Sequence, residues 1–162
     1  MTTQRISERA IIPAAPAQVY ATIADYHKGH PAILPKPWFR DLIVEQGGVG
    51  AGTVIRFTMR VLGTTHTLRA KITEPVPGRV LVETNDTGSV TTFTVTPVSG
   101  NAASEVEIMT EVPVRRGIAG ALEGLVTKAV LRRIYPRELA LLATLHATKG
   151  SGRTTPATRV TS

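Results

Sequence analysis

Four histidines, His27, His30, His66 and His146, hold much of the chemical potential of this 162-residue chain. His27 and His30 have a three-residue spacing that can serve a metal ion on one face of a helix. Pro31 biases His30 away from helix, and Asp25 is the one carboxylate nearby, so the pair reads as solvated loop histidines. His66 falls on the apolar side of an alternating segment. There it serves either as a rim or core histidine with a backbone partner, or as a polar contact or acid/base toward a ligand. Asp25, Tyr20, Tyr26, Thr84, Thr110 and Tyr135 are the groups able to partner it. An aldol cyclisation asks for a positioned proton acceptor and a donor for the enolate oxygen. The spacing of these residues does not assemble such a pair. No serine nucleophile motif is present, and without cysteine there is neither a disulfide framework nor a thiolate metal site. No catalytic residue, metal or cofactor is therefore assigned.

The run Gly47 to Gly52 (GGVGAG) invites a phosphate-binding reading. Such loops feed a helix whose N-terminus holds the phosphate. This one feeds an alternating strand, Thr53 to Leu62, and no Gly-Lys-Ser or Gly-Lys-Thr follows, so nucleotide binding is disfavoured.

The elements that must position these groups follow from periodicity. Arg5 to Ile12 is strand-like, with Ile6, Glu8, Ala10 and Ile12 on one side. Pro16 opens a short helix carrying Val19, Tyr20 and Ile23, and a second short helix or turn covers Tyr26 to Leu34. Six strands follow, from Phe39 to Val112. Ile55, Phe57, Met59 and Val61 share a face, as do His66, Leu68, Ala70 and Ile72. Val80, Val82 and Thr84 are expected on the apolar side with Glu83 in water, and Val106, Ile108, Thr110 and Val112 face in. The inner strand positions assigned in this way hold no Asp or Glu. Ser89 to Thr96 has threonines on both sides, so its facing stays open. Opposite charges on the wet face should pair across strands.

The last long segment, Arg115 to His146, would make a helix of about 48 Å. Its first apolar stripe is Ile118, Leu122, Leu125, Val126 and Ala129; its second is Leu131, Ile134, Tyr135, Leu142 and Leu145, rotated about the axis. Gly117, Gly120 and Gly124 share the side of the second stripe. They either let a core helix follow its sheet or leave room for a ligand. Pro136 should bend or break the helix.

Composition is consistent with one domain, residues 1–148, followed by a disordered basic tail, 149–162. Of the 19 basic residues three lie in that tail, leaving 16 against 12 acids, too mild an excess to predict nucleic-acid binding. No stretch suits membrane insertion and the N-terminus lacks signal-peptide features, so a cytoplasmic location is expected.

Pro16-Ala17-Gln18-Val19-Tyr20 leading to Ala24-Asp25-Tyr26, the loop Gly47 to Thr53 and the closing helix together carry a family likeness. Over residues 5 to 147 the chain resembles the SRPBCC or START-like helix-grip superfamily, in its polyketide cyclase/dehydrase-like branch. The glycine loop is similar to that of plant pathogenesis-related proteins of the birch-pollen allergen type. The resemblance implies an α+β fold in which about seven antiparallel strands curve around the C-terminal helix, with an apolar cavity between them. Members include lipid carriers, hormone receptors, aromatase/cyclases, chaperone activators and ribosome-associated proteins, so fold alone does not name the activity.

The expected function is non-catalytic binding or transport of a small hydrophobic molecule. The alternatives are an aromatase/cyclase-like enzyme, favoured by a buried acid/base pair in the cavity, and a partner-docking module. Parity of the strands predicts a cavity lined by Phe57, Met59, His66, Leu68, Val82 and Thr84. Ile108, Thr110, Leu131 and Tyr135 complete it, Trp38 and Phe39 stand at its mouth, and Gly120 and Gly124 leave space beside it.

Overall fold

The computed structural model describes residues 1–151. Strand β1 (Thr2–Ile12) leads into helices α1 (Pro16–Ala24) and α2 (Gly29–Ile33). Strands β2 (Phe39–Gln46), β3 (Val54–Val61), β4 (Thr64–Val76), β5 (Val80–Asn85), β6 (Val90–Val98) and β7 (Ala103–Val114) follow, and helix α3 (Ile118–Ser151) closes the chain. The strands form one antiparallel sheet in the order β1-β7-β6-β5-β4-β3-β2. The fold is the helix grip: the sheet curves around α3, and α1 and α2 link its two edge strands. No helix among the described residues is long and apolar enough to cross a membrane.

Meander strands β2 to β7 pair locally, but β1 must find β7 from the far end of the chain, with Ile6 opposite Thr110 and Ile12 opposite Ser104. On the wet side of that seam Arg5 bonds Glu111, and Arg9 reaches Glu107 at 3.1 Å and Glu105 at 3.6 Å. On the other edge, Glu45 of β2 accepts from Arg56 at 3.1 Å and Arg69 at 2.6 Å. Inside, Ile12, Leu81, Val95, Val106 and Ile134 are fully enclosed. Burying a side chain of this size contributes about 1.5–3 kcal/mol.

The two helical stripes part company in the structure. The second is the core stripe: Leu131, Ile134, Tyr135 and Leu142 are buried. The first faces solvent, with Ile118 91 %, Leu122 63 % and Leu125 64 % exposed. The inner side of the first half is glycine, as the spacing indicated, but these glycines are in contact. A Cβ on Gly120 would stand 1.9 Å from the Arg115 carbonyl oxygen, and one on Gly124 would touch Gln4 and Val114 at 3.3 Å. The missing side chain at Gly124 therefore lets α3 approach β1 and the end of β7, and that at Gly120 lets the chain from Arg115 turn closely into the helix. Pro136 lies on the exposed side, and α3 continues through it as one element of 34 residues, so of the expected bend or break the helix does not break. Of the stretch expected to be a disordered tail, residues 149–151 continue α3 and the rest lies outside the described residues.

The glycine loop is spent on structure. Gly50 donates to the Ala24 carbonyl at 3.0 Å, Ala51 to the Glu74 carboxylate at 2.8 Å, and Gly52 to Ile72 at 3.0 Å. Gly48 donates to Thr53 Oγ1 at 2.9 Å, and its carbonyl accepts from Tyr26. Tyr20 donates to Glu74 at 2.6 Å, which ties α1 to this loop. Its N–H groups are thus satisfied within the protein, leaving none of these for a phosphate.

Candidate functional site

A cavity of about 350 Å³ lies between the sheet and the middle of α3. Its apolar wall comes from alternate positions of β3, β4 and β7: Phe57, Met59, Val61, Leu68 and Val112. Phe39 and Leu42 from β2 and Leu131 from α3 complete that wall. Period-two alternation aims these side chains inward because their neighbours Arg56, Arg60 and Arg69 are exposed. Exposed His66 and Thr87, in the β3–β4 and β5–β6 hairpins, mark the open side.

The opposite wall is polar and ionisable. Glu83 of β5, Glu138 of α3 and His30 of α2 line it, with Tyr135 and Thr110 beside them. The Tyr26 hydroxyl donates to Glu83 Oε1. His30 Nε2 stands 3.4 Å from the same oxygen, while its Nδ1 donates to the Ile23 carbonyl at 2.8 Å. His30 is 2 % exposed, stacked on the Tyr26 ring at 4.5 Å and edge-on to Phe93 at 5.5 Å. Burial, then the Glu83 carboxylate, raises the Tyr26 hydroxyl well above the usual phenol range.

Glu138 is 3 % exposed, and its Oε1 has no hydrogen-bond partner. Burial, then Glu83, lifts its carboxyl well above the usual carboxylate range. Tyr135 shares a hydrogen bond with Thr110, which meets Thr91 at 2.8 Å, and burial raises the Tyr135 hydroxyl. Among the described residues no lysine or arginine lines the cavity.

Eight of the fourteen residues expected from sequence line this space: Phe39, Phe57, Met59, His66, Leu68, Thr110, Leu131 and Tyr135. Six do not. Val82 and Thr84 point to the other face of β5, because Leu81 packs opposite Phe93 and carries Glu83 and Asn85 inward. Ile108 faces in but is consumed by the core. Trp38 stacks under the Arg137 guanidinium, 4.6 Å from its ring centre, outside the cavity lining. Gly120 and Gly124 touch Arg115, Gln4 and Val114 instead.

The expectation of no carboxylate at the inner strand positions is overturned by Glu83, and helix α3 adds Glu138 to the same wall. Glu83 was assigned to water because β5 has apolar residues on both faces. Glu138 carried a readable signal, lying four residues from both Ile134 and Leu142 on the buried stripe. His30, read as solvated, lies in α2, where a proline in the first turn is tolerated. His27 is exposed and covers Gly48, so the two histidines do not converge. Asp25 accepts from the His27 and Lys28 N–H groups at 3.0 and 3.2 Å, a turn-forming role.

The sequence profile for polyketide cyclase / dehydrase and lipid transport proteins matches residues 3–147. The chain belongs to that family. Among curated proteins none matches the sequence. Among solved structures, the KanY protein (ms6282) is 28% identical, with 91% of this chain and 99% of that one covered at a TM-score of 0.78. A START superfamily protein from Mycobacterium smegmatis shares the fold at 11% identity, TM-score 0.68, covering 89% and 97% of the two chains. The ZhuI aromatase/cyclase from Streptomyces sp. R1128 does so at 14% identity, TM-score 0.65, covering 98% and 100%. In this family member the recess lies where the sheet and the long helix face each other, mostly apolar and with Glu83 and Glu138 on its polar wall.

Proposed function

We propose that this protein binds a small, largely apolar molecule between its sheet and α3. The observation that carries the reading is the 350 Å³ cavity, within the size range of small-molecule sites and walled by aliphatic and aromatic carbon on one side. Family membership supports a hydrophobic ligand. The apolar wall supplies affinity by burial, and the polar wall orients whatever oxygen or nitrogen the ligand carries. Replacing Met59 by Trp places an indole in the space. Binding of Nile red, a neutral apolar dye, should then fall at least tenfold, while Leu122→Ser on the exposed side of α3 leaves it unchanged. Equal dye affinity in folded Met59→Trp protein would place binding elsewhere.

A second reading, an aromatase/cyclase-like enzyme acting on a polyketide, is favoured by the Tyr26–Glu83–His30 cluster. A carboxylate with an imidazole beside it can take a proton from carbon next to a carbonyl and return it. Deuterium exchange into the methyl group of acetophenone in D2O tests this. Acceleration over buffer that disappears in Glu83→Gln supports catalysis; a rate equal to buffer supports binding alone.

A further inference from the structure

We propose that Glu138 is the ligand-recognition group of the cavity, a carboxylic acid that donates its proton to a carbonyl or similar oxygen on a neutral, largely apolar ligand. This rests on the ligand-binding reading above and names the ligand class for the same site. Glu138 is 3 % exposed, lines the cavity, and leaves Oε1 without a partner among the described residues. A buried polar atom with no partner is costly to maintain unless something else supplies the bond. On the same wall, Glu83 is engaged by Tyr26 and His30, and it gives Glu138 no hydrogen bond. The Tyr135 hydroxyl is likewise engaged, through Thr110 and Thr91. Among the buried polar groups of the lining, Glu138 is thus the one with hydrogen-bonding capacity left over, and burial beside a second carboxyl favours its protonated form.

The arrangement selects among ligands. A carboxylate headgroup would meet two glutamates and, among the described residues, no lysine or arginine in the lining. Fatty-acid anions are therefore disfavoured. A pure hydrocarbon fits the apolar wall and leaves Oε1 unpaired. A cationic amine would require an ionised Glu138 in a fully buried position. A ketone, aldehyde or ester presents an acceptor with no charge and completes the bond.

Four molecules on nearly one skeleton test this with the full chain: ethylbenzene, acetophenone, benzoate and 1-phenylethylamine. Affinities come from NMR chemical-shift titration of cavity amides. Acetophenone should bind about tenfold tighter than ethylbenzene, the worth of one good hydrogen bond, and tighter than either charged analogue. Glu138→Leu should bring acetophenone and ethylbenzene within about twofold. Glu138→Gln, which keeps a donor, should retain the preference. The infrared carbonyl stretch of bound acetophenone should shift to lower frequency in wild type and Glu138→Gln, and stay put in Glu138→Leu. Ethylbenzene binding as tightly as acetophenone overturns the role of Glu138 and leaves the cavity reading standing. So does a preference that survives Glu138→Leu. Tighter binding of the amine or of benzoate overturns the neutral-acceptor class. If none of the four moves a cavity amide, the binding reading fails, and this inference with it. The wild-type series decides the matter even if a variant does not fold.

Discussion

Glu138 occupies a position of α3 between Ile134 and Leu142 where an apolar side chain would pack. Its neighbours in charge are Glu83, His30, Tyr26 and Tyr135, none of which gives its Oε1 a bond. Because burial raises the folded-state pKa, the folded protein holds a proton there that the unfolded chain releases above about pH 4.3. Stability from this group is complete at low pH and is lost as pH rises from the unfolded value toward the folded one. Glu138→Leu should therefore be more stable than wild type by about 1–3 kcal/mol at pH 7, with the gap narrowing toward pH 4. Urea unfolding at both pH values checks it, and a destabilised Leu variant at pH 7 would argue that Glu138 is satisfied. His146 works with the opposite sign. Burial, then the Lys149 ammonium, holds its imidazole below the ordinary range, and Thr22 Oγ1 stands 3.1 Å from Nε2. Asp25 and Lys28 border the same groove. The unfolded chain takes up a proton first as pH falls through about 6.5, so acid destabilises the fold at this residue. Between pH 7 and pH 5.5 wild type should lose more stability than His146→Gln.

Helix α3 divides its work between its halves. The first half uses glycine to lie close on β1 and β7, and the second uses Leu131, Ile134, Leu139 and Leu142 to fill the core. Gly120→Ala forces a Cβ onto the Arg115 carbonyl and should cost about 1–3 kcal/mol, while Nile red affinity of the folded fraction stays unchanged. Gly120→Leu, a natural way to fill the space if it were a cavity, should instead unfold the protein. Leu122→Ser and Leu125→Ser alter side chains that face water and should change stability by no more than about 0.5 kcal/mol. Pro136 withholds one helix hydrogen bond on the exposed side, so Pro136→Ala should raise the thermal midpoint. A lowered midpoint would mean that Pro136 suits the path α3 takes across the sheet.

At the scale of the molecule, the sheet order sets its last strand beside its first and leaves β3, β4 and β5 to stand off from the helix. The contacts of α3 concentrate on β1, β7 and α2. Space remains where the sheet curves away, and the 350 Å³ cavity is that space. A folded state with an open apolar recess is stabilised by anything that fills it and ignores the unfolded chain. Acetophenone at a hundred times its dissociation constant should add about 2.7 kcal/mol. Its thermal midpoint should climb with ligand concentration, and a midpoint indifferent to acetophenone at saturating concentration would contradict occupancy of the recess.

Much of this was legible in the residue pattern. Alternation in Ile55–Val61, His66–Ile72 and Val106–Val112 needs only the two-residue repeat of a strand, so it identified inward positions and five of the eight cavity residues. The order of strand, two short helices, six strands and one long helix was equally readable, since each element is specified locally. What only tertiary structure decided are the places where a residue's surroundings come from distant chain. Strand β5 carries apolar residues on both faces, and Leu81 meeting Phe93 turned Glu83 inward to Tyr26 and His30. The two apolar stripes of α3 were both visible, but one helix cannot bury opposite sides against a single sheet. Gly124 favours one side, by letting the backbone lie on Gln4 of β1 and Val114 of β7 where a Cβ would be crowded at 3.3 Å. Glu138 follows from that choice: the stripe that faces the sheet carries its carboxyl to the cavity wall, beside the Glu83 that β5 has turned inward.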